Sequence, residues 1–399
     1  MKYIVVLGDG MADLPIESLD GKTPLEYAVT PTMDELAKVS EIGMTNMIPK
    51  GMKPGSDTAN LGVMGYDPQK YYTGRSPLEA LSIGVPMKDT DVAIRCNVVT
   101  LSEDEVSYED KIMLDHSSSE ISTKEAAILL QAVKDELENE FYQFYVGTSY
   151  RHCLIWNEGK VVELTPPHDI LEKRVGEYLP EDNVLRWMQR KSYEILSRHP
   201  LNQWRKSKGL NPANSIWFWG AGTKPALDSF EEKYGKKGAM ISAVDLLKGI
   251  AVGAGMTNIY VEGANGGLHT NYEGKAQAAV DALLKDGFDF AYIHVEGPDE
   301  MGHQGSVERK VQSIEYLDSR IIRLVKEQLD ASGEPYRMLI LPDHPTPICV
   351  RTHTAEDIPY LLYDSENKQP HDWTYCEKDA QASGRVIEEG HELMDYLLR

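Results

Sequence analysis

Asp9, Asp299, Asp343 and His344 each stand just past the end of an apolar run in this 399-residue chain. His303 lies four residues beyond Asp299 in Pro-Asp-Glu-Met-Gly-His, so one helical turn brings both onto one face. His353 follows in Arg-Thr-His-Thr. Carboxylate and imidazole together suit Mn²⁺ or Zn²⁺ better than Ca²⁺, which prefers oxygen alone. Taken singly, an Asp after a strand is most often a turn or cap residue, and a lone His a satisfied polar group. Several of them at strand ends point instead to a metal centre, because ligands of open α/β sheets bind outside the carboxyl ends of the strands. Ser56 sits in Gly-Met-Lys-Pro-Gly-Ser-Asp-Thr-Ala-Asn, a Gly- and Pro-punctuated loop running into a helix start. It reads equally well as a helix N-cap or as a nucleophile whose proton a metal displaces at the positive end of a helix.

The elements that must position these groups are legible as runs and periods. Lys2–Leu7 ends in Gly8-Asp9-Gly10, Phe288–Val295 in Glu296-Gly297-Pro298-Asp299, and Arg337–Leu341 in Pro342-Asp343-His344. Near-continuous apolar runs of this kind predict strands buried on both faces of a parallel sheet. Val307, Val311, Ile314, Leu317, Ile321, Leu324 and Val325 recur at helical spacing. Lys275–Leu284 predicts a second helix, closed by Lys285-Asp286-Gly287. Strand and helix alternate from about Ala239 onward, the pattern of a doubly wound α/β domain. Residues 89–221 break it: strands at Asp91–Leu101 and Arg151–Asn157 flank a helix at Thr123–Glu140, which reads as an inserted α+β unit. The expected division is 1–88 with 222–399 as the core, joined to the insert near Ser82–Asp89 and Gly220–Pro225. Glu136–Glu140 reads as a solvated helix face, and Lys160-Val161 and Trp217–Gly220 as strand or core.

Composition narrows the function classes. Lys and Arg number 41 against 63 Asp and Glu, a formal charge of −22, which argues against nucleic acid or an anionic membrane surface as partner. No apolar stretch approaches the roughly 18 residues of a membrane span, and the N-terminal run is too short for a signal sequence. The four cysteines are dispersed without a CxxC pair, so a reduced, cytoplasmic chain is expected.

Leu-Gly-Asp-Gly at Asp9, Pro-Gly-Ser-Asp-Thr-Ala-Asn at Ser56, His-Val-Glu-Gly-Pro-Asp-Glu-Met-Gly-His at Asp299 and His303, Pro-Asp-His at 342–344 and Arg-Thr-His-Thr at His353 occur in one order. With these motifs the chain resembles the cofactor-independent phosphoglycerate mutases, in their shorter archaeal-type branch of the alkaline phosphatase superfamily. The resemblance implies an alkaline-phosphatase-like, doubly wound, mostly parallel sheet with a smaller inserted α+β domain that binds substrate and closes. It also implies two divalent ions, Mn²⁺ first, with Zn²⁺, Co²⁺ or Mg²⁺ as alternatives. One would be held by Asp299, His303 and His353, the other by Asp9, Asp343 and His344, with Ser56 as ligand and nucleophile. The charges match, since two ions bring +4 and three Asp plus a Ser56 alkoxide bring −4. Such paired metals stabilise the attacking and leaving oxygens of phosphoryl transfer. The implied reaction interconverts 3- and 2-phosphoglycerate through a phosphoserine, with Arg95, Asn97, Arg151 and Lys237 binding a small phosphorylated substrate. Surface ion pairing is the competing reading for these cations. Oligomeric state leaves no trace in the sequence.

One motif departs from the family. Where archaeal-type mutases tend to carry Ala-Gly-Arg-Ile, this chain has Ser118-Ser119-Glu120-Ile121, an acid in place of an anion-binding Arg. A sister group proposed as homoserine kinases shares the Pro-Asp-His-Pro-Thr-Pro and Ser-Tyr-Arg-His segments, and the same serine and metals could phosphorylate the homoserine hydroxyl. No GxxxxGK[ST] loop is present to hold a nucleotide. A metal-dependent phosphatase is the third reading. A sulfatase would carry Cys at position 56.

Overall fold

Burial on both faces explains the apolar runs. In the computed structural model, which describes residues 1–399, the strands Lys2–Gly8, Phe290–Val295 and Tyr336–Leu341 are almost entirely buried. They lie side by side and parallel, Lys2–Gly8 in the middle, with Gly8 opposite Val295 and Leu7 opposite Leu341. This register brings the three Asp-bearing turns to one edge. The full sheet has eight strands in the order Val386–Ile387, Glu41–Thr45, Ile358–Asp364, Tyr336–Leu341, Lys2–Gly8, Phe290–Val295, Gly238–Ile241, Thr257–Asn258. Only Ile358–Asp364 runs antiparallel to its neighbours. It is the mostly parallel α/β sheet expected.

The periodic segment after Val307 folds as two α-helices, Val307–Leu317 and Arg323–Ser332, joined by a π-helical turn at Asp318–Ile322. The wider turn accommodates Asp318, fully buried, whose carboxylate accepts the backbone N–H groups of Thr32 (3.3 Å) and Met33 (2.7 Å) at the start of helix Pro31–Ala37. Ile314, Leu317, Ile321 and Val325 still face one core, shared with Ala276, Ala279 and Val280 of helix Tyr272–Leu284. No helix is long and apolar enough to cross a membrane.

The chain divides into Met1–Tyr72 with Leu227–Arg399, and Thr73–Ala226. The first joint falls before the residue-88 boundary read from sequence, because helix Arg75–Ser82 packs on Val92–Leu101 and Ser215–Thr223 of the second unit. In that unit the wholly buried strand Val92–Leu101 pairs antiparallel with Arg151–Trp156, Ser215–Thr223 and Met113–Asp115. Helices Thr123–Leu137 and Asn183–Leu196 cover one face through Leu129, Val133, Leu185 and Met188. The first of these helices stops three residues earlier than its composition suggested. Asn139 Oδ1 accepts Phe141 N–H (2.9 Å), turning the chain into strand Tyr142–Thr148, so Glu138–Glu140 are not a helix face. Lys160 and Val161 are exposed coil rather than strand or core, whereas Trp217 is fully buried in a strand.

Candidate active site

Asp9, Asp343 and Asp299 converge at the carboxyl edge of the large sheet because the strands preceding them are in register. The turn after Lys2–Gly8 must come very close to Asp299. Gly10 has φ +60°, and a Cβ there would sit 2.6 Å from Asp299 Oδ1 and 2.8 Å from its Cα, so only glycine fits. Its N–H donates to Asp343 Oδ1 (3.1 Å), as does His344 N–H (3.0 Å). Thr346 Oγ1 donates to Asp299 Oδ1.

Two groups of ligand atoms result. Asp9, Asp343 and His344 each present one within 4.8 Å of the others, and so do Asp299, His344 and His353. His303 joins the second group: its Nε2 lies 3.2 Å from Asp299 Oδ2 and 3.0 Å from His353 Nε2. The side chains of both sets expected from sequence thus stand close together. Sequence did not show that His344 stands in both groups, its ring 4.1 Å from that of His353. Three carboxylates, three imidazoles and a hydroxyl form a donor set that fits two divalent transition ions.

Ser56 is the first residue of helix Ser56–Val63, with Gly55 at the N-cap position. The Ser56 hydroxyl therefore does not cap the helix. Its Oγ lies 3.1 Å from His344 Nε2 and 3.5 Å from Asp9 Oδ1, at the junction of the two ligand groups. One turn on, Asn60 Nδ2 donates to Asp343 Oδ2 (2.8 Å) and to the Ser56 carbonyl (2.9 Å), and its Oδ1 accepts from Tyr292 Oη (2.6 Å). His294, two residues along the same strand face, meets Asp9 Oδ2 at 2.8 Å. Sequence reading overlooked Asn60, Tyr292 and His294. The available signal was a polar residue at alternate positions of an otherwise apolar strand, and an Asn one helical turn from the serine.

The electrostatics are those of crowded anions. Burial, then the charges of Asp343, Asp299 and Glu296, push the Asp9 carboxyl well above its ordinary range. Burial acts the same way on Asp299, but hydrogen bonds from His303 and His353 outweigh it and hold that group well below. The bond to Asp299 lifts His303 to about 9, while burial pushes His344 down. A cation at the Asp9–Asp343 group would favour the ionised Asp9 carboxylate.

Of the expected substrate residues, three lie in the smaller unit on one strand face. Asn97 is opposite Arg151 in the ladder, and Arg95 is two residues from Asn97. Arg95 makes a bidentate pair with Glu79 (2.7 and 2.5 Å) and stacks on Trp219 at 4.1 Å. Asn97 Oδ1 accepts from Trp219 Nε1 (3.0 Å), and exposed Arg151 lies over the Tyr150 ring. Lys237 does not join the site. It precedes strand Gly238–Ile241, at the amino edge of the parallel sheet, with its Nζ 4.4 Å over the Phe288 ring. Lys236 lies over Tyr3 at that same edge. The lysine this strand–helix unit carries toward the carboxyl edge is Lys248, in the first turn of helix Asp245–Gly253 and 3.2 Å from Asp245 Oδ1.

Comparisons with known proteins place the whole chain beside one family. A family model described as 2,3-bisphosphoglycerate-independent phosphoglycerate mutase matches residues 37–202. A protein of that name from Methanosarcina barkeri is 46% identical over 409 aligned positions, covering 100% of both chains. A probable one from Geobacter sulfurreducens is 45% identical, again over the whole of both. Among solved structures, a Pyrococcus horikoshii protein superposes with TM-score 0.82 at 30% identity, covering 100% of this chain and 96% of that one. A cofactor-independent phosphoglycerate mutase from Thermoplasma acidophilum gives 0.67 at 25% identity, covering 100% and 98%. On the strength of these whole-length relatives, the chain belongs to the 2,3-bisphosphoglycerate-independent phosphoglycerate mutase family.

Proposed function

We propose that this protein interconverts 3-phosphoglycerate and 2-phosphoglycerate through a phosphoserine on Ser56. The observation that carries the reading is the place of Ser56 Oγ, within 3.5 Å of both Asp9 and His344, where the two ligand groups meet. Asp299, His303 and His353 would hold one divalent ion and Asp9, Asp343, His344 and Ser56 the other, with Mn²⁺ the first candidate for both. When bound, such ions supply Lewis-acid stabilisation of the phosphoryl oxygens and favour the serine alkoxide. Ser56 Oγ takes the phosphoryl group, the bond from phosphorus to the substrate's 3-oxygen breaks, and glycerate is released within the site. Its 2-hydroxyl oxygen then attacks the phosphoserine, restoring Ser56.

Asn60 keeps Ser56 and Asp343 in fixed relation by bonding to both, and Tyr292 locks the Asn60 amide. Arg95, Asn97 and Arg151 are proposed to take the anionic groups of the substrate, a task suited to the guanidinium fork. Arg151 is the freer of the two arginines, since Glu79 already neutralises Arg95.

The test is a coupled assay through enolase on Mn²⁺-loaded protein without 2,3-bisphosphoglycerate. Turnover that chelation abolishes, and that Ser56→Ala reduces by at least about 10³-fold as expected for loss of a nucleophile, supports the mutase. No turnover with metal bound refutes it and favours phosphoryl transfer to another alcohol, homoserine plus ATP being the next pair. Full activity in Ser56→Ala refutes the phosphoserine.

A further inference from the structure

The Asp9 carboxylate is gripped from behind by residues the reaction itself does not call on. His294 is fully buried, and its Nε2 lies 2.8 Å from Asp9 Oδ2. On the other side of the ring, His294 Nδ1 lies 3.2 Å from Ser242 Oγ, which in turn accepts Val244 N–H at 3.0 Å. As an ionised ligand, Asp9 would have only lone pairs to offer, which would put the ring hydrogen on Nε2 and leave Nδ1 to accept the Ser242 hydroxyl. Every donor then has an acceptor, from the Val244 amide through to the carboxylate.

The backbone fixes both ends of this relay. Leu7 and His294 are paired in adjacent parallel strands, Asp9 N–H donates to the Val295 carbonyl (2.9 Å), and buried Lys275 donates to the His294 carbonyl (3.0 Å). With Oδ2 committed to His294, Asp9 Oδ1 is the oxygen turned to Ser56 Oγ and His344 Nε2, 3.5 Å from each.

We infer that His294, oriented by Ser242, is a positioning residue that sets the rotation of the Asp9 carboxylate toward Ser56 and the metal held there. The inference rests on the reading of Asp9 as a metal ligand. Removing such an outer partner typically costs about 10–100-fold in metal affinity or activity. The loss is expected at one ion only, because the Asp299–His303–His353 group shares no hydrogen bond with His294.

The experiment is calorimetric titration of the full-length, metal-free protein with Mn²⁺, paralleled by visible absorption of the Co²⁺ form. His294→Leu is expected to weaken one of two sites by about 10–100-fold and leave the other unchanged. His294→Gln, whose amide nitrogen reaches the place of Nε2, should recover most of the loss. Ser242→Ala should weaken the same site by less, and carries the test alone if His294→Leu does not fold. Affinities like wild type in His294→Leu or Ser242→Ala overturn the inference. So does equal weakening of both sites in step with a lowered Tm, which is what a merely structural residue would give. Asp9→Ala is the control: if it leaves both wild-type sites intact, the ligand reading itself fails and takes the inference with it.

Discussion

Metal binding at the Asp299–His303–His353 group should displace a proton, and the structure says which one. His303 Nε2 lies 3.2 Å from Asp299 Oδ2, and that bond raises the imidazole from 6.5 to about 9. A ligand nitrogen must be unprotonated, so at pH 7 an incoming ion competes with a proton held about two units below its pKa. Competition of that size weakens apparent affinity by roughly 100-fold, and because His303 is 34% exposed, solvent screening reduces it to about 10–100-fold. Calorimetry of Mn²⁺ binding at pH 7, in two buffers of different ionisation enthalpy, should show about one proton more released by wild type than by His303→Gln. Affinity should climb between pH 7 and 9 and level off above. The same shift has a stability consequence. A folded pKa raised above its unfolded value stabilises fully below about 6.5, and that stability is lost as pH rises through about 9. The chelated protein should therefore lose thermal stability over this interval while the metal-loaded protein does not. Equal proton counts in wild type and His303→Gln, or an affinity flat from pH 7 to 9, would refute the reasoning.

Three further outcomes are expected. Arg151→Ala should raise KM for phosphoglycerate by roughly 10–100-fold, the worth of a charge-assisted hydrogen bond, and leave Tm unchanged because the side chain is exposed; an unchanged KM in steady-state kinetics removes Arg151 from the substrate. Ser118, Ser119 and Glu120 have φ of 51°, 59° and 49°, three left-handed residues in a row. Glu120→Gly, at an exposed position, should add about 0.5–1 kcal/mol to stability, the relief of left-handed strain less the extra entropy of unfolded glycine, and a lower denaturation midpoint would contradict it. Lys310 is fully buried and pairs with Asp13 at 2.8 Å while donating to the Thr346 carbonyl at 2.9 Å. Lys310→Met leaves that carboxylate without its cation and should cost about 3–5 kcal/mol in chemical unfolding; a cost below about 1 kcal/mol would refute a stabilising pair.

The motif residues were readable because each follows an apolar strand, and strands buried on both faces leave little room for other residue types. Asp9, Asp299 and Asp343 end such strands, and the parallel register of Lys2–Gly8 with its two neighbours places their ends together. His303 was readable from helical spacing, and helix Gly297–Gln304 carries it with Asp299. Lys237 was assigned to the substrate by resemblance alone, and a motif match does not say at which end of its strand a residue lies. The direction of Gly238–Ile241 within the sheet decides that, and it sends Lys237 to the far edge. The serine's role turned on a shift of one residue: at the first helical position rather than the cap, its hydroxyl is free to face His344.

By itself, then, the sequence determined the strand runs, the order of the candidate ligands and the serine that accompanies them, because local composition and period encode burial and turn chemistry. Tertiary structure alone decided that His344 belongs to both ligand groups, and that Tyr292, His294 and Asn60 stand behind the carboxylates. The bonds of Tyr292 to Asn60, His294 to Asp9 and Asn60 to Asp343 join residues more than 200 positions apart. They exist only where strand pairing brings distant side chains within reach of a hydrogen bond, a distance that no local pattern of residues encodes.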